Sequence, residues 1–131
     1  MQTLKSRGST RMENLKHTFN EFGQPVGLPV PQWVAPPHPA RVPMLGGHCR
    51  LEPLRAEQHG LALHAAYSED SQASSWTYLP YGPFPTADAY LQWLRERQES
   101  VDPLFFAICN HGGRPLGLAS YLRIAPREGC I

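Results

Sequence analysis

The segment from Leu104 to Ile124 constrains the fold more than any other part of this sequence. Residues 104–109 are nearly all apolar, and a strand without a polar face is covered on both sides, as at the centre of a sheet. Gly112-Gly113 can take the positive φ angles of a two-residue hairpin turn, which makes Pro115 to Ile124 the return strand. Only seven residues follow Ile124. We therefore expect the hairpin's outer edge to be uncovered, and the chain to be the front part of a larger α/β domain.

The segments before this hairpin predict one further strand and two helices. His48 to Leu54 alternates like a half-buried strand that ends at Pro53. Ala56 to Ser68 has the apolar content of a helix, and Thr86 is suited to cap a second helix that runs to about Ser100. The order is β-α-α-β-β. The predicted fold is α+β, with two helices on a three-stranded antiparallel sheet.

Proline divides the chain before the predicted domain. Seven of the 14 prolines fall between Pro25 and Pro43, so this stretch is extended and cannot be helix or central strand. We expect it to lie along the domain surface with Trp33 as an anchor. The alternative is a peptide ligand, because residues 36–41 fit the Pro-x-x-Pro-x-Arg pattern. The predicted divisions are a disordered extension (1–19), a proline-rich arm (20–47) and the domain part (48–131).

Composition argues against several classes of function. The net charge is +1, which gives no strong attraction to nucleic acid, and no apolar run approaches the ~20 residues of a membrane span. The three cysteines, Cys49, Cys109 and Cys130, are too few and too irregular for a disulfide framework and are typical of a reducing cytoplasm. No Cys-x-x-Cys pair is present, so we expect no metal site.

Several short segments of the sequence resemble segments of one protein superfamily. Asn20 to Pro25 is similar to a lead-in segment, His48 to Leu54 to a first strand, and Trp76 to Phe84 to an aromatic loop between two helices. Phe105 to Ile108 and Pro115 to Gly117 are similar to a second and a third strand. Together they resemble the N-terminal half of the GCN5-related N-acetyltransferase (GNAT) superfamily, particularly its RimJ/RimL-like branch.

The resemblance implies acetyl transfer from acetyl-CoA to an amine acceptor, either a protein N-terminus or a small molecule. Family members bind the pyrophosphate of CoA at a glycine-rich turn that opens a helix, after their fourth strand. The chain has no Arg/Gln-x-x-Gly-x-Gly/Ala turn and stops about where that strand begins. We therefore expect no cofactor-binding residues here, no tight binding of acetyl-CoA, and an inactive fragment of a cytoplasmic enzyme.

The resemblance also implies an acceptor groove beside the two helices. The candidate contacts are Trp76, Tyr78, Tyr81 and Phe84 in the aromatic loop and Tyr121, next to Ser120, on the last strand. The alternative is that these aromatics pin the loop to the helices. Glu52, Glu57 and Asp88 have no visible partner, so none is assigned as a base. His59 and His64 are expected on the surface of the first helix.

The second reading of the sequence is a non-enzymatic module. An incomplete α/β unit can pair its exposed sheet edge with another chain. On either reading we expect the isolated chain to self-associate, through Leu116–Ile124.

Overall fold

The computed structural model describes residues 18–131, and its backbone divides into two compact units after Val34. Most of the predicted disordered extension therefore lies outside the described residues. In the first unit, β1 (Thr18–Phe19) pairs antiparallel with β2 (Pro25–Val26). The turn between them is held by Asn20, whose side-chain oxygen accepts two backbone N–H groups at 3.0 and 2.9 Å. Thr18 and Phe19, which the sequence assigns to the disordered extension, are thus in a strand.

The second unit, Ala35–Ile131, has the predicted α+β class and the predicted β-α-α-β-β order, with one added strand. Its elements are β3 (Met44–Leu45), β4 (Arg50–Pro53), α1 (Ala56–Ser68), α2 (Ala87–Glu99), β5 (Leu104–Cys109) and β6 (Pro115–Tyr121). The sheet is antiparallel in the order β3-β4-β5-β6. The sequence predicts only three strands because β3, with two residues, is too short to show any alternation.

Two predicted strands are shorter than expected. The first begins at Arg50 rather than His48, because the Gly46 N–H donates to the Cys49 carbonyl at 2.9 Å and closes a turn there. β6 ends at Tyr121 rather than Ile124. Arg123 has a φ of 58°, and the N–H groups of Arg123 and Ile124 donate to the Asp102 carboxylate at 2.9 and 3.0 Å.

The turn between β5 and β6 also differs from the prediction. A two-residue turn of type I′ or II′ requires positive φ at its first central residue, Gly112, but only Gly113 has it, at 82°. The loop is longer and is organised by Asn110. Its carbonyl accepts the Gly113 N–H at 3.0 Å, and its side-chain oxygen accepts the Arg114 N–H at 2.9 Å.

The helices cover one face of the sheet. Phe105, Ala107 and Cys109 pack on this face with residues of both helices, while Leu104 and Phe106 are buried on the opposite face. Burial on both sides of β5 confirms that it lies inside the sheet. The two helices approach closely at Gly60, where an added Cβ would lie 2.3 Å from Leu91 Cδ2. Neither helix within residues 18–131 is long and apolar enough to cross a bilayer.

At the N-terminal end of each helix, a side chain accepts a hydrogen bond from a free backbone N–H group. Thr86 caps α2 as predicted, since its hydroxyl accepts the Ala89 N–H at 3.2 Å. α1 has no side-chain cap from its own N-cap residue, but the Ala56 N–H donates to Gln98 Oε1 at 2.8 Å. The α1 start is therefore held by α2.

The proline-rich arm contacts the C-terminal end of α2 through Arg41. The Arg41 guanidinium donates to the backbone carbonyls of Gln98 and Ser100, at the C-terminal end of α2. A peptide ligand of the Pro-x-x-Pro-x-Arg type needs this arginine free to meet a partner, so the contact favours the surface-arm interpretation. Trp33 is 51% exposed, and its anchoring role stays a prediction.

Candidate functional site

An aromatic cluster fills the space between α1, the loop from residue 71 to residue 85, and α2. Its members are Tyr67, Trp76, Tyr81, Phe84, Tyr90 and Trp93. Trp76 is central, with ring centroids 4.9 Å from Tyr67 and 5.5 Å from Phe84. Trp93 links the cluster to the sheet through Phe105, at 6.0 Å. Tilted and edge-on geometries such as these are the favourable ones for aromatic pairs.

Two local features hold the loop in this form. The Asp70 carboxylate oxygen Oδ2 accepts the Ser75 N–H at 2.8 Å and the hydroxyls of Ser74 and Ser75 at 2.9 Å each. These hydrogen bonds from Ser75 and Ser74 lower the pKa of Asp70 to about 2. Gly82 has a φ of 75° and approaches the Trp76 ring so closely that a Cβ would lie 2.5 Å from it.

Three of the five predicted contacts meet in the cluster. Trp76 is buried, at 8% exposure, and Tyr81 and Phe84 are partly buried against it. Tyr78 belongs to the same loop but is 96% exposed.

Tyr121 lies apart from the cluster. It pairs with Leu104, on the sheet face away from the helices, and its ring lies 5.8 Å from Phe106. Its hydroxyl donates to the sulfur of Met44 at 3.5 Å. The neighbouring Ser120 is exposed.

The aromatic cluster borders a cavity of about 230 Å³. Tyr67, Trp76, Phe84 and Tyr90 give it aromatic walls, and its other lining residues include His64 and Asp70. Tyr90 is 1% exposed, yet its hydroxyl has no hydrogen-bond partner. Burial, with the nearby Tyr67 and Tyr81 hydroxyls, raises the pKa of Tyr90 well above its usual range, so the hydroxyl stays neutral. An unpaired buried hydroxyl costs about 1–3 kcal/mol, so the Tyr90 hydroxyl lowers the stability of the fold.

A second group of chemically active side chains lies on the helix-facing side of the sheet. Ligand atoms of Glu52, His59 and Cys109 are all within 4.8 Å of one another, the one such metal-type group found in residues 18–131. The prediction that His59 lies on the helix surface is wrong, because it is 1% exposed. The signal for this burial was the spacing Ala56, His59, Gly60 and Leu63 along one helical stripe.

The hydrogen bonds of this group do not fit a metal. His59 Nδ1 accepts the Arg55 N–H at 3.2 Å, so the proton is on Nε2, which donates to Glu52 Oε2 at 3.0 Å. Neither ring nitrogen has a free lone pair for a cation. The Arg50 guanidinium lies 2.6 Å from the other Glu52 oxygen and already neutralises that carboxylate. We interpret Glu52 and His59 as a structural pair that fixes the start of α1 on β4.

Two causes act on the pKa of Glu52 in opposite directions. Burial raises it, but the His59 hydrogen bond and the charge and hydrogen bond of Arg50 outweigh burial, so the net pKa is lowered from 4.5. Burial and the Glu52 charge raise the pKa of the Cys109 thiol. A neutral, buried thiol is a poor nucleophile, so we do not interpret Glu52, His59 and Cys109 as a catalytic centre.

Comparison with solved structures gives two informative likenesses. A GCN5-related N-acetyltransferase from Brucella melitensis matches with a TM-score of 0.69 and 35% identity, over 74% of this chain and 44% of that protein. A probable acetyltransferase of the GNAT family from Chromobacterium violaceum matches with a TM-score of 0.66 and 28% identity, over 79% of this chain and 52% of that protein. No protein-family model and no curated protein matches the chain.

The chain spans about half the length of the two acetyltransferases. The shared part is an α+β unit with two helices and an antiparallel sheet, consistent with a partial GNAT fold. In fold and in sequence, the chain is therefore similar to acetyltransferases of the GNAT superfamily.

Proposed function

We propose that residues 35–131 form the acceptor-side part of a GNAT N-acetyltransferase of the RimJ/RimL-like branch. The whole enzyme would act in the cytoplasm and transfer acetyl from acetyl-CoA to a primary amine of a protein N-terminus or a small molecule. The observation that carries this proposal is the 35% identity with the Brucella acetyltransferase at a TM-score of 0.69. The resemblance of the aromatic loop and the strand segments to the same family agrees with it.

The chemistry assigns a limited role to the residues of this chain. An acceptor amine must be neutral to attack a thioester, so its proton must pass to a base. The Glu52 carboxylate is occupied by His59 and Arg50, and we assign it no catalytic role. Trp76, Tyr81 and Phe84 are proposed to shape the acceptor groove, and the exposed Tyr78 to contact the acceptor. Tyr121 is proposed to contact the acceptor through its ring, because its hydroxyl already donates to the Met44 sulfur.

The residues present do not fit the pyrophosphate of acetyl-CoA. That group requires free backbone N–H groups at a glycine-rich turn opening a helix. Within residues 18–131, α1 begins after Arg55 and α2 after Thr86, without a glycine in either preceding turn. We expect calorimetry of this chain with acetyl-CoA to give no saturable signal up to about 1 mM, a free energy of ~−4 kcal/mol. A micromolar dissociation constant would show that a cofactor site has been missed.

The reading frame beyond Ile131 provides the direct test of the enzymatic proposal. If it continues with a strand and a glycine-rich turn, the longer polypeptide should release free CoA thiol from acetyl-CoA when primary amines are added. The 131-residue chain in the same assay is the matched control and should release none. A longer polypeptide that has this turn and binds acetyl-CoA, but acetylates no amine, would contradict the proposal.

A second candidate function is a non-enzymatic module that pairs its sheet edge with another chain. The observation in its favour is that β6 lies at an edge of the four-stranded sheet. A stop codon directly after Ile131, with a stable complex formed through β6, would favour this candidate over the enzyme.

A further inference from the structure

A groove on the second unit is lined mainly by proline and isoleucine side chains. It lies where the proline-rich arm meets the segment that follows β6, and its volume is about 220 Å³. The arm contributes Pro36, Pro37 and Pro39, and the segment after β6 contributes Ile124, Pro126 and Ile131. Among the residues 18–131 that the structure describes, no charged side chain lines this proline groove. The groove therefore suits an apolar side chain.

The prolines favour an aromatic occupant. Domains that recognise proline-rich segments bind them in grooves lined by aromatic side chains, where proline rings pack against aromatic faces. Four prolines line the groove of this chain, so the same contact is available with the roles exchanged. A phenylalanine that entered the groove would bring no polar atom that needs a hydrogen bond there.

The first unit presents such a side chain on an ordered turn. Phe22 lies between β1 and β2 and is 77% exposed. The Asn20 side chain accepts the Phe22 and Gln24 N–H groups, and its amide donates to the Gln24 side-chain oxygen at 2.8 Å. The Thr18 hydroxyl donates to the Gly27 carbonyl at 2.8 Å. Because these contacts already order the N-terminal hairpin (residues 18–27), Phe22 can act as an anchor with little further loss of entropy on binding.

The composition of the segment that carries Phe22 points to a second copy of this chain as the partner. Between residues 18 and 34, seven large apolar side chains are 41–82% exposed, and Glu21 is the only charged residue. Depletion of charge and enrichment of aromatic residues are typical of homodimer interfaces. In a symmetric dimer each chain offers one hairpin and one groove, so every contact is made twice.

The exposed surface is large enough for a stable dimer. Fully burying one large apolar side chain removes about 60–120 Å² from water. At the exposures of residues 18–34, covering this segment on both chains, together with the surfaces that receive it, would bury roughly 1,000–2,000 Å². Stable, specific interfaces bury about 1,200–2,000 Å².

We propose that the chain forms a symmetric dimer in which Phe22 of each copy enters the proline groove of the other. This contact is separate from pairing through β6, which uses the backbone of that strand. It rests on the groove and the hairpin alone and does not depend on acetyl transfer.

The first test is sedimentation equilibrium of the 131-residue chain and three variants. Phe22→Ser should weaken dimerisation at least about tenfold, as the loss of an aromatic anchor usually does. Tyr78→Ser is the matched control, because it removes a more exposed aromatic side chain outside the hairpin and the groove, and it should leave the dimer unchanged. Ser120→Pro removes an outward N–H of β6, so it should affect association through β6 and leave the dimer unchanged.

Three results of this series would overturn the proposal. They are a wild-type chain that is monomeric at every concentration, a Phe22→Ser chain that dimerises like wild type, and a dimer that is lost in Ser120→Pro alone. The last result would assign the association to β6. Since Phe22 is exposed, Phe22→Ser should keep the wild-type circular dichroism spectrum, which separates lost binding from lost folding.

A disulfide test identifies which chain fills the groove. Cys130 is exposed in the groove lining, and Glu21 is the exposed neighbour of Phe22. Mild oxidation of Glu21→Cys should give a covalent dimer, with the new thiol of one chain joined to Cys130 of the other, as peptide mass spectrometry would show. Adding Cys130→Ser should remove this bridge. The same bridge within one chain would mean that the hairpin folds onto its own groove, and no bridge would mean that it lies elsewhere; either result would overturn the proposal.

Discussion

The backbone N–H of Leu118 donates a hydrogen bond to the Tyr67 hydroxyl oxygen over 3.1 Å. The direction of this N–H follows from the sheet. The Leu54 N–H donates to the Phe105 carbonyl, so the backbone groups of Phe105 point towards β4 and those of the next residue, Phe106, point towards β6. Phe106 and its partner Ala119 therefore form a hydrogen-bonded pair between β5 and β6. The N–H of Leu118, one residue along, therefore points to the outer edge. The sequence predicts an open edge along this strand, but Tyr67 of α1 covers it at this point.

Replacing Tyr67 with phenylalanine removes this bond and keeps the ring in the aromatic cluster. The Leu118 N–H loses its partner, so the free energy of unfolding should fall by about 1 kcal/mol. Urea denaturation measures this change, and amide exchange at Leu118 should become faster. Tyr78→Phe, at a tyrosine that is 96% exposed, is the control and should change neither quantity. Unchanged exchange at Leu118 in Tyr67→Phe would mean that another group protects this N–H.

The same substitution should affect self-association. β6 is an edge strand with outward groups at Leu116, Leu118 and Ser120, and edge strands pair readily with other chains. We expect the wild-type chain to self-associate and Tyr67→Phe to do so at lower concentration. Light scattering over a concentration series measures this. A wild-type chain that stays monomeric throughout the series, and a variant that does the same, would rule out pairing through β6.

The aromatic loop depends on the contact between Gly82 and Trp76. Gly82→Ala would place a Cβ 2.5 Å from a rigid ring and force alanine to a φ of 75°. The left-handed conformation alone costs about 1–2 kcal/mol, and the overlap adds to it, so we expect a loss of about 2 kcal/mol or more. Thermal unfolding followed by near-UV circular dichroism reports it. Gly47→Ala is the control because nothing lies within 4 Å of its added Cβ. Equal melting temperatures for the two variants would contradict the contact.

The sequence predicts those parts of the fold that depend on neighbouring residues alone, such as the start of a helix or an inner strand. Thr86 indicates the start of α2 because a threonine before a helical stripe is a cap, and the apolar run Leu104–Cys109 indicates the inner strand because five of its six positions are buried.

His59 is buried rather than on the helix surface because the Arg55 N–H and the Glu52 carboxylate, four and seven residues before it, satisfy both of its ring nitrogens. The helical spacing of Ala56, Gly60 and Leu63 indicates this burial. The pairing with Glu52 has no such signal, because it depends on how α1 folds back onto β4.

For Arg41, too, the local sequence pattern and the contacts in the folded chain point to different roles. The sequence placed it in a recognition pattern, whereas the structure uses it to bind α2 carbonyls. Arg41→Ala should lower the free energy of unfolding by about 1.5–3 kcal/mol, the range for hydrogen bonds to a charged group. Arg41→Lys should recover only part, because an ammonium lacks the planar fork. Chemical denaturation measures both variants. Arg95→Ala, which breaks an exposed ion pair with Glu57, is the control and should cost less than about 1 kcal/mol. Equal losses at Arg41 and Arg95 would show that the arm does not hold α2.

The Glu52–His59 pair predicts how stability depends on pH. The pKa of Glu52 is lowered on folding, so the unfolded chain binds a proton at this group more readily than the folded chain. Its stabilising contribution is therefore complete above about pH 4.5, the ordinary value, and is lost as the pH falls through the lower folded pKa. Glu52→Gln should be less stable than wild type at pH 7, and the difference should shrink steadily below pH 4.5 in urea denaturation series. Gln58→Ala, which removes a neutral donor to the same carboxylate, should keep the wild-type slope. A difference between Glu52→Gln and wild type that stays constant from pH 7 down to about pH 3 would mean that the carboxylate is not ionised against Arg50 and His59 in the folded chain.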